Sequence, residues 1–166
     1  MTSRFFAAIA IFLAVGVGAY AQDKPDFSGK WVVVDPAPAA QSAAADGRGS
    51  RGGGRGFQPG FGPEFTVKQD ATTLTVSRGG QAPPLSYKLD GSNSKNSMTR
   101  DGQQTDQIST ATWDGNALVI VTQLSFRGST YEQRRVMRIE DGNLVIDQTN
   151  PGRGGATTVK VVYKKG

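Results

Sequence analysis

The chain contains no cysteine and no histidine. The first absence excludes disulfide staples and thiolate catalysis; the second removes the commonest general base, and together they leave no side-chain nitrogen or sulfur set for zinc. Glutamate is scarce, at Glu64, Glu132 and Glu140 only, and five aspartates (Asp46, Asp90, Asp101, Asp114 and Asp141) stand directly before glycine, where turn or loop geometry occupies them. Glu132 and Asp147 are the best remaining acid–base pair, on neighbouring strands, against the alternative of two solvated outer-face residues. "DATTL" and "DGN" lack the repeated oxygen ligands of a calcium loop. The chain is therefore expected not to be an enzyme and to hold neither metal nor cofactor.

Long apolar runs are also missing, with one exception. Residues 1–21 place Arg4 before an apolar run from Phe5 to Tyr20 that ends in Ala19-Tyr20-Ala21. A basic start, a short apolar stretch and a small-x-small close are the parts of a cleaved secretory signal peptide, with the cut expected before Gln22. The expected mature chain, 22–166, is then one exported domain, periplasmic or extracellular, with no membrane span and no cysteine for acylation. Losing Arg4 lowers the formal net charge from +5 to +4, too mild an excess to argue for nucleic acid.

Between Asp35 and Pro63 the chain is glycine, alanine, proline and serine with almost no aliphatic side chain. Such a segment cannot offset its ordering entropy, so 36–63 is expected to be one long flexible loop. It holds Arg48, Arg51 and Arg55 in "RGSRGGGRGF". Arginine–glycine segments bind single-stranded nucleic acid in some settings, but an exported chain points to a solvated loop with at most a weak polyanion contact.

What the rest of the chain has is alternation. "KWVVV", "FTVKQ", "LTVSR", "LSYKL", "NSMTR", "QISTATW", "ALVIVTQL", "STYEQRRVMRI", "NLVIDQ" and "TTVKVVYKK" are ten candidate strands, most with period-two patterning and none with sustained helical periodicity. Asp-Gly at 90–91, 101–102, 114–115 and 141–142 predicts tight hairpins, since both residues tolerate positive φ. "WDGNALVI" and "EDGNLVI" read as one unit used twice, by duplication or by independent use of the best hairpin dipeptide. Ten antiparallel neighbours with short turns predict a soluble up-and-down β-barrel of about 8–10 short strands, because closure removes exposed edges.

The entry into the first strand, "FSGKW", resembles the start of the calycin superfamily, the lipocalins and fatty-acid-binding proteins. There Gly-x-Trp opens strand one and the Trp plugs the closed end; Gly29 and Trp31 are the matching residues, with Phe27 upstream. The resemblance implies a lipocalin-like barrel around a small apolar ligand. In lipocalins a basic residue on a late strand packs across the Trp, a role for which Lys164 is a poor counterpart and Arg138 is not placed by the pattern. The Arg-x-Tyr carboxylate clamp of fatty-acid-binding proteins is absent, since Val161 stands two before Tyr163. The loop at 36–63 occupies the position of that family's helical lid, with a composition that opposes a helix.

Candidate ligand contacts come from "TYEQRRVMRI". One face carries Tyr131, Gln133, Arg135, Met137 and Ile139, a mixture suited to a cavity that fixes a polar head. An interior Arg135 would need an anionic partner, whereas the opposite register would leave it in water. Tyr87 and Tyr163 complete the candidate set. Two readings follow: an exported binding protein for a small apolar or amphipathic molecule, or a cavity-free extracytoplasmic module whose basic loop contacts anionic envelope polymers.

Overall fold

The computed structural model describes residues 24–35, 60–80, 82–100, 103–126, 129–151 and 155–166. The expected signal peptide 1–21, most of the expected 36–63 loop, its three arginines Arg48, Arg51 and Arg55, and the expected turn at Asp101-Gly102 lie outside the described residues.

Ten strands follow in chain order: β1 (Gly29–Asp35), β2 (Glu64–Gln69), β3 (Thr73–Ser77), β4 (Leu85–Lys88), β5 (Ser94–Arg100), β6 (Gln103–Asp114), β7 (Ala117–Phe126), β8 (Ser129–Glu140), β9 (Asn143–Asn150) and β10 (Thr157–Lys165). All form one antiparallel sheet in the order β4-β3-β2-β1-β10-β9-β8-β7-β6-β5, an up-and-down meander in which the first strand pairs with the last. Several strands exceed the short lengths expected, β6 and β8 reaching 12 residues.

The ring is completed between β4 and β5 by side chains instead of a backbone ladder. Asn96 Oδ1 accepts from Ser86 N (2.7 Å), Asn96 Nδ2 donates to Ser86 O (3.0 Å), and Ser94 Oγ accepts from Lys88 N (2.8 Å). A carboxamide presents an N–H donor and a C=O acceptor side by side, so Asn96 pairs with both backbone groups of Ser86 as a strand residue would at this seam. The Asp90-Gly91 pair accordingly does not make the expected tight hairpin. Its strands diverge, and Asp90 Oδ1 instead accepts from Ser92 N at 2.8 Å.

The two "DGN" turns differ by one residue. Asp114 pairs with Ala117, so Gly115-Asn116 form the two-residue loop between β6 and β7. Between β8 and β9, Glu140 pairs with Asn143 and the loop is Asp141-Gly142, both at positive φ (50° and 78°), which matches a type I′ turn. The extra Ala117 absorbs the offset, and Leu118, Ile120, Leu144 and Ile146 all become fully buried.

The tight turns, the segment 24–28 and Gly166 share one end of the barrel. Trp31 is fully buried there, and its Nε1 donates to Phe27 O (2.8 Å). Phe27 in turn stacks on Trp113, centroids 5.9 Å apart and planes 7° from parallel. Gly29 has φ 136°, a conformation that L-residues rarely adopt, and an added Cβ would find ordinary room; the backbone angle, not space, selects glycine. Lys165, and neither Lys164 nor Arg138, is the cation over Trp31, its Nζ lying 5.6 Å from the ring centroid. Arg138 instead lies on the outer face, bound to Glu140 and Asp147.

Candidate functional site

Inward-facing positions on β1–β4 are apolar or aromatic: Trp31, Phe65, Val67, Leu74, Val76, Leu85 and Tyr87 are buried. The strands opposite begin apolar near the tight-turn end, with Leu118, Ile120, Met137, Leu144 and Ile146, and become polar toward the other end, with Ser109, Thr122, Gln133, Arg135, Gln148 and Asn150. The same alternation that builds the core thus places polar groups on one wall of its upper half. Each is matched. Ser109 and Thr122 hydroxyls lie 2.9 Å apart, and Asn150 Oδ1 accepts from both Gln133 Nε2 (2.7 Å) and Gln148 Nε2 (3.0 Å).

Gln148 is the centre of this network. Fully buried, it offers Oε1 to Arg135 Nε (3.0 Å) and to the backbone N–H of Gly60 (2.8 Å). Arg135 is half-buried on β8, with its guanidinium carbon 5.1 Å from the centroid of the Phe61 ring. Phe61 packs edge-on against Phe65 (5.2 Å) and tilts toward Tyr87 (6.4 Å), while Phe65 meets Tyr163 edge-on at 4.9 Å. Among the described residues no carboxylate lies within ion-pair distance of Arg135.

The electrostatics follow from that environment. Desolvation lowers the proton affinity of Arg135 and the nearby Arg78 pushes the same way, whereas the phenols of Tyr87 and Tyr163 oppose them. Arginine remains charged even so, because its affinity starts so high. Tyr87 is driven up by burial against the pull of Arg135 and Arg78. Tyr163 is pushed to about 12, again chiefly by burial, against the Phe61 N–H that its oxygen accepts and against Arg135. Arg78 follows Leu74 and Val76 in the inward alternation, and its Nε is buried without a hydrogen-bond partner among the described residues. The upper part of the barrel interior thus sets two arginines, Arg78 and Arg135, beside an aromatic wall.

Of the residues singled out from the sequence, Tyr87, Gln133, Arg135 and Tyr163 gather around Phe61 and Gln148. Met137 is fully buried one layer lower, opposite Leu118 and Ile146. Tyr131 is 42 % exposed opposite Leu124 and stands on the surface, not in the lumen, because it lies near the β7–β8 turn beyond the reach of the opposite wall. Glu132 and Asp147 do not face one another: Glu132 pairs with Gln123 and Asp147 with Val136, four residues along β8. Asp147 is held by Arg138 on the outer face. Gln148, Asn150, Arg78 and Phe61 were not anticipated. Extending the Leu144, Ile146 alternation by two more steps would have found Gln148 and Asn150, and the step from Leu74 and Val76 leads to Arg78.

No family model matches the chain, and no curated protein matches it in sequence. Solved structures do match in shape. A mutant of the fluorescent protein UnaG aligns over 84% of this chain and 95% of its own, at 21% identity and a TM-score of 0.49. Zebrafish ileal bile acid-binding protein complexed with cholic acid aligns over 84% and 98%, at 19% identity and a TM-score of 0.51. With the ten-strand order, the first-to-last pairing and the Trp31 plug, the chain has the calycin barrel fold of the fatty-acid-binding-protein type.

Proposed function

We propose that this chain is an exported, non-catalytic binding protein whose barrel holds a small amphipathic molecule with an anionic head. The observation that carries the reading is Arg135: a guanidinium facing the lumen, held by Gln148 and without a carboxylate partner among the described residues. A charge withdrawn from water without a counter-ion is costly, and a ligand carboxylate or phosphate removes that cost. Val67, Leu74, Val76 and Leu85 supply an apolar wall for the remainder of the molecule. The zebrafish protein of similar fold is complexed with cholic acid, an amphipathic carboxylic acid, which supports the same ligand class.

Calorimetric titration with dodecanoate tests it. Binding is expected in the wild type, and Arg135→Gln is expected to weaken it by about tenfold or more, the scale of a lost charge-assisted hydrogen bond. Equal affinity of both proteins for dodecanoate and for dodecanol would refute an anionic head site. The second reading, a cavity-free module, draws on one observation, that Phe61 already stands in the lumen. Absence of binding to every amphiphile would favour it.

A further inference from the structure

The upper lumen is occupied by the chain's own backbone. Gly60 and Phe61, the last residues before the chain emerges toward β2, reach inward, while Pro63 is anchored outside by its carbonyl accepting from Val33 N (2.9 Å). Three contacts hold the inward pair. The Gly60 N–H donates to Gln148 Oε1, the Gly60 backbone lies against the Tyr163 phenol, and the Phe61 ring lies over the Arg135 guanidinium. The fit at Gly60 is close: φ is 68°, and an added Cβ would fall 2.2 Å from the Tyr163 phenol oxygen. On the other side of Phe61, Gly62 has φ 112°. Phe61 is thus bracketed by two glycines in backbone conformations that other residues resist, between an anchored proline and a buried ring.

We propose that Gly60 and Phe61 are an intrachain competitor for the binding site: a strap that occupies the head-group position and must swing out about Gly62 before an anionic ligand can reach Arg135. This rests on the binding function proposed above. The groups that would receive the ligand head, the Arg135 guanidinium and the Tyr163 hydroxyl, are groups the strap lies against. The Phe61 ring covers one side of the Arg135 guanidinium and the Gly60 backbone fills the space beside the Tyr163 oxygen, so a head group that reaches both from that side must displace the strap. Both occupants cannot be present, so apparent affinity equals the affinity of the open barrel multiplied by the fraction of molecules with the strap out. With the strap in place Gln148 Oε1 accepts a second hydrogen bond, from Gly60, and one face of the Arg135 guanidinium is covered.

The test compares dodecanoate affinity in the wild type, Phe61→Ala and Gly60→Ala. The second variant alters no lumen side chain, yet its methyl group collides with Tyr163 and expels the strap, so it covers the case in which Phe61→Ala disturbs folding. Both variants are expected to bind about tenfold or more tightly than the wild type, as follows if the strap is in place nine-tenths of the time or more. In the wild type, saturating dodecanoate is expected to speed hydrogen exchange at the Gly60 and Phe61 amides. Equal or weaker binding by the two variants, with the wild type still binding, would overturn the competitor and leave the binding function standing. Slower exchange at Gly60 and Phe61 on saturation would likewise overturn it, since the ligand would then be packing onto the strap. No binding by any of the three proteins would refute both proposals together.

Discussion

Replacing Asn96 by alanine should loosen the barrel where it has no backbone ladder. The side chain is 5% exposed and makes two hydrogen bonds to Ser86, as acceptor from N (2.7 Å) and donor to O (3.0 Å). At about 1 kcal/mol net for each bond the loss is about 2 kcal/mol. Ser86 itself is exposed, so water can reach the freed backbone groups and no further desolvation cost is added. For a chain of 166 residues this corresponds to a fall in Tm of about 4–8 °C. Thermal unfolding followed by circular dichroism measures the fall, and amide exchange locates it: protection should drop at Ser86, which loses its acceptor, while β9 and β10 amides keep theirs. Asn96→Asp should be at least as destabilising as Asn96→Ala, since its second oxygen would face the Ser86 carbonyl from a buried position. A Tm within about 1 °C of the wild type, with unchanged protection at Ser86, would show that these bonds do not close the barrel.

Three other outcomes follow from geometry already described. Tyr163 has its folded pKa raised from 10.0 to about 12; a raised value means stability complete below the unfolded pKa and lost as pH climbs through the folded one. Urea melts should therefore lose stability between pH 10 and 12, by roughly 3 kcal/mol from this group, and Tyr163→Phe should flatten that limb. Asp70 is lowered, chiefly by the Thr72 backbone N–H it accepts, so its stabilisation is present above the ordinary aspartate range and lost as pH falls through the folded value; Asp70→Ala should show a shallower acid limb in the same melts. Trp31→Phe leaves the Phe27 carbonyl without its indole donor in a fully buried site and vacates part of the plug. A loss of about 2–4 kcal/mol by denaturant melts is expected, and a loss below about 1 kcal/mol would deny the plug its structural role.

The strands and most of their faces were legible because period two carries through them: Phe65 with Val67, Leu74 with Val76, Leu85 with Tyr87. Trp31 as a plug was legible from Gly-x-Trp together with the glycine backbone that the strand start requires. The lumen was legible only in part. Reading β8 alone found Gln133 and Arg135, but their partners Gln148 and Asn150 sit on β9, where "NLVIDQ" draws attention to its aliphatic residues. Phe61 was hidden by its surroundings, because low-complexity composition describes an average and says nothing of one aromatic ring seated on an arginine 74 positions away. The seam at β4–β5 was misread for a related reason. Asp-Gly at 90–91 signals a turn, but whether the flanking strands pair afterwards depends on the curvature needed to close ten strands.

The pairing of β1 with β10 and the side-chain seam between β4 and β5 together separate two things that are usually one: where the chain is cut and where the sheet is open. Gly166 N donates to Lys30 O (3.0 Å) and Lys165 covers Trp31, so the last residues lie against the first strand. Joining residue 166 to residue 24 and opening the chain at Asp90-Gly91 would give strands in the chain order β5 to β10, then β1 to β4. That is the order in which they lie in the sheet. Every laddered neighbour would then be a sequence neighbour, and the longest-range pairing of the present chain, β1 with β10, would become local. A rearranged chain of that kind has lower contact order and should fold faster than the natural one while enclosing the same lumen.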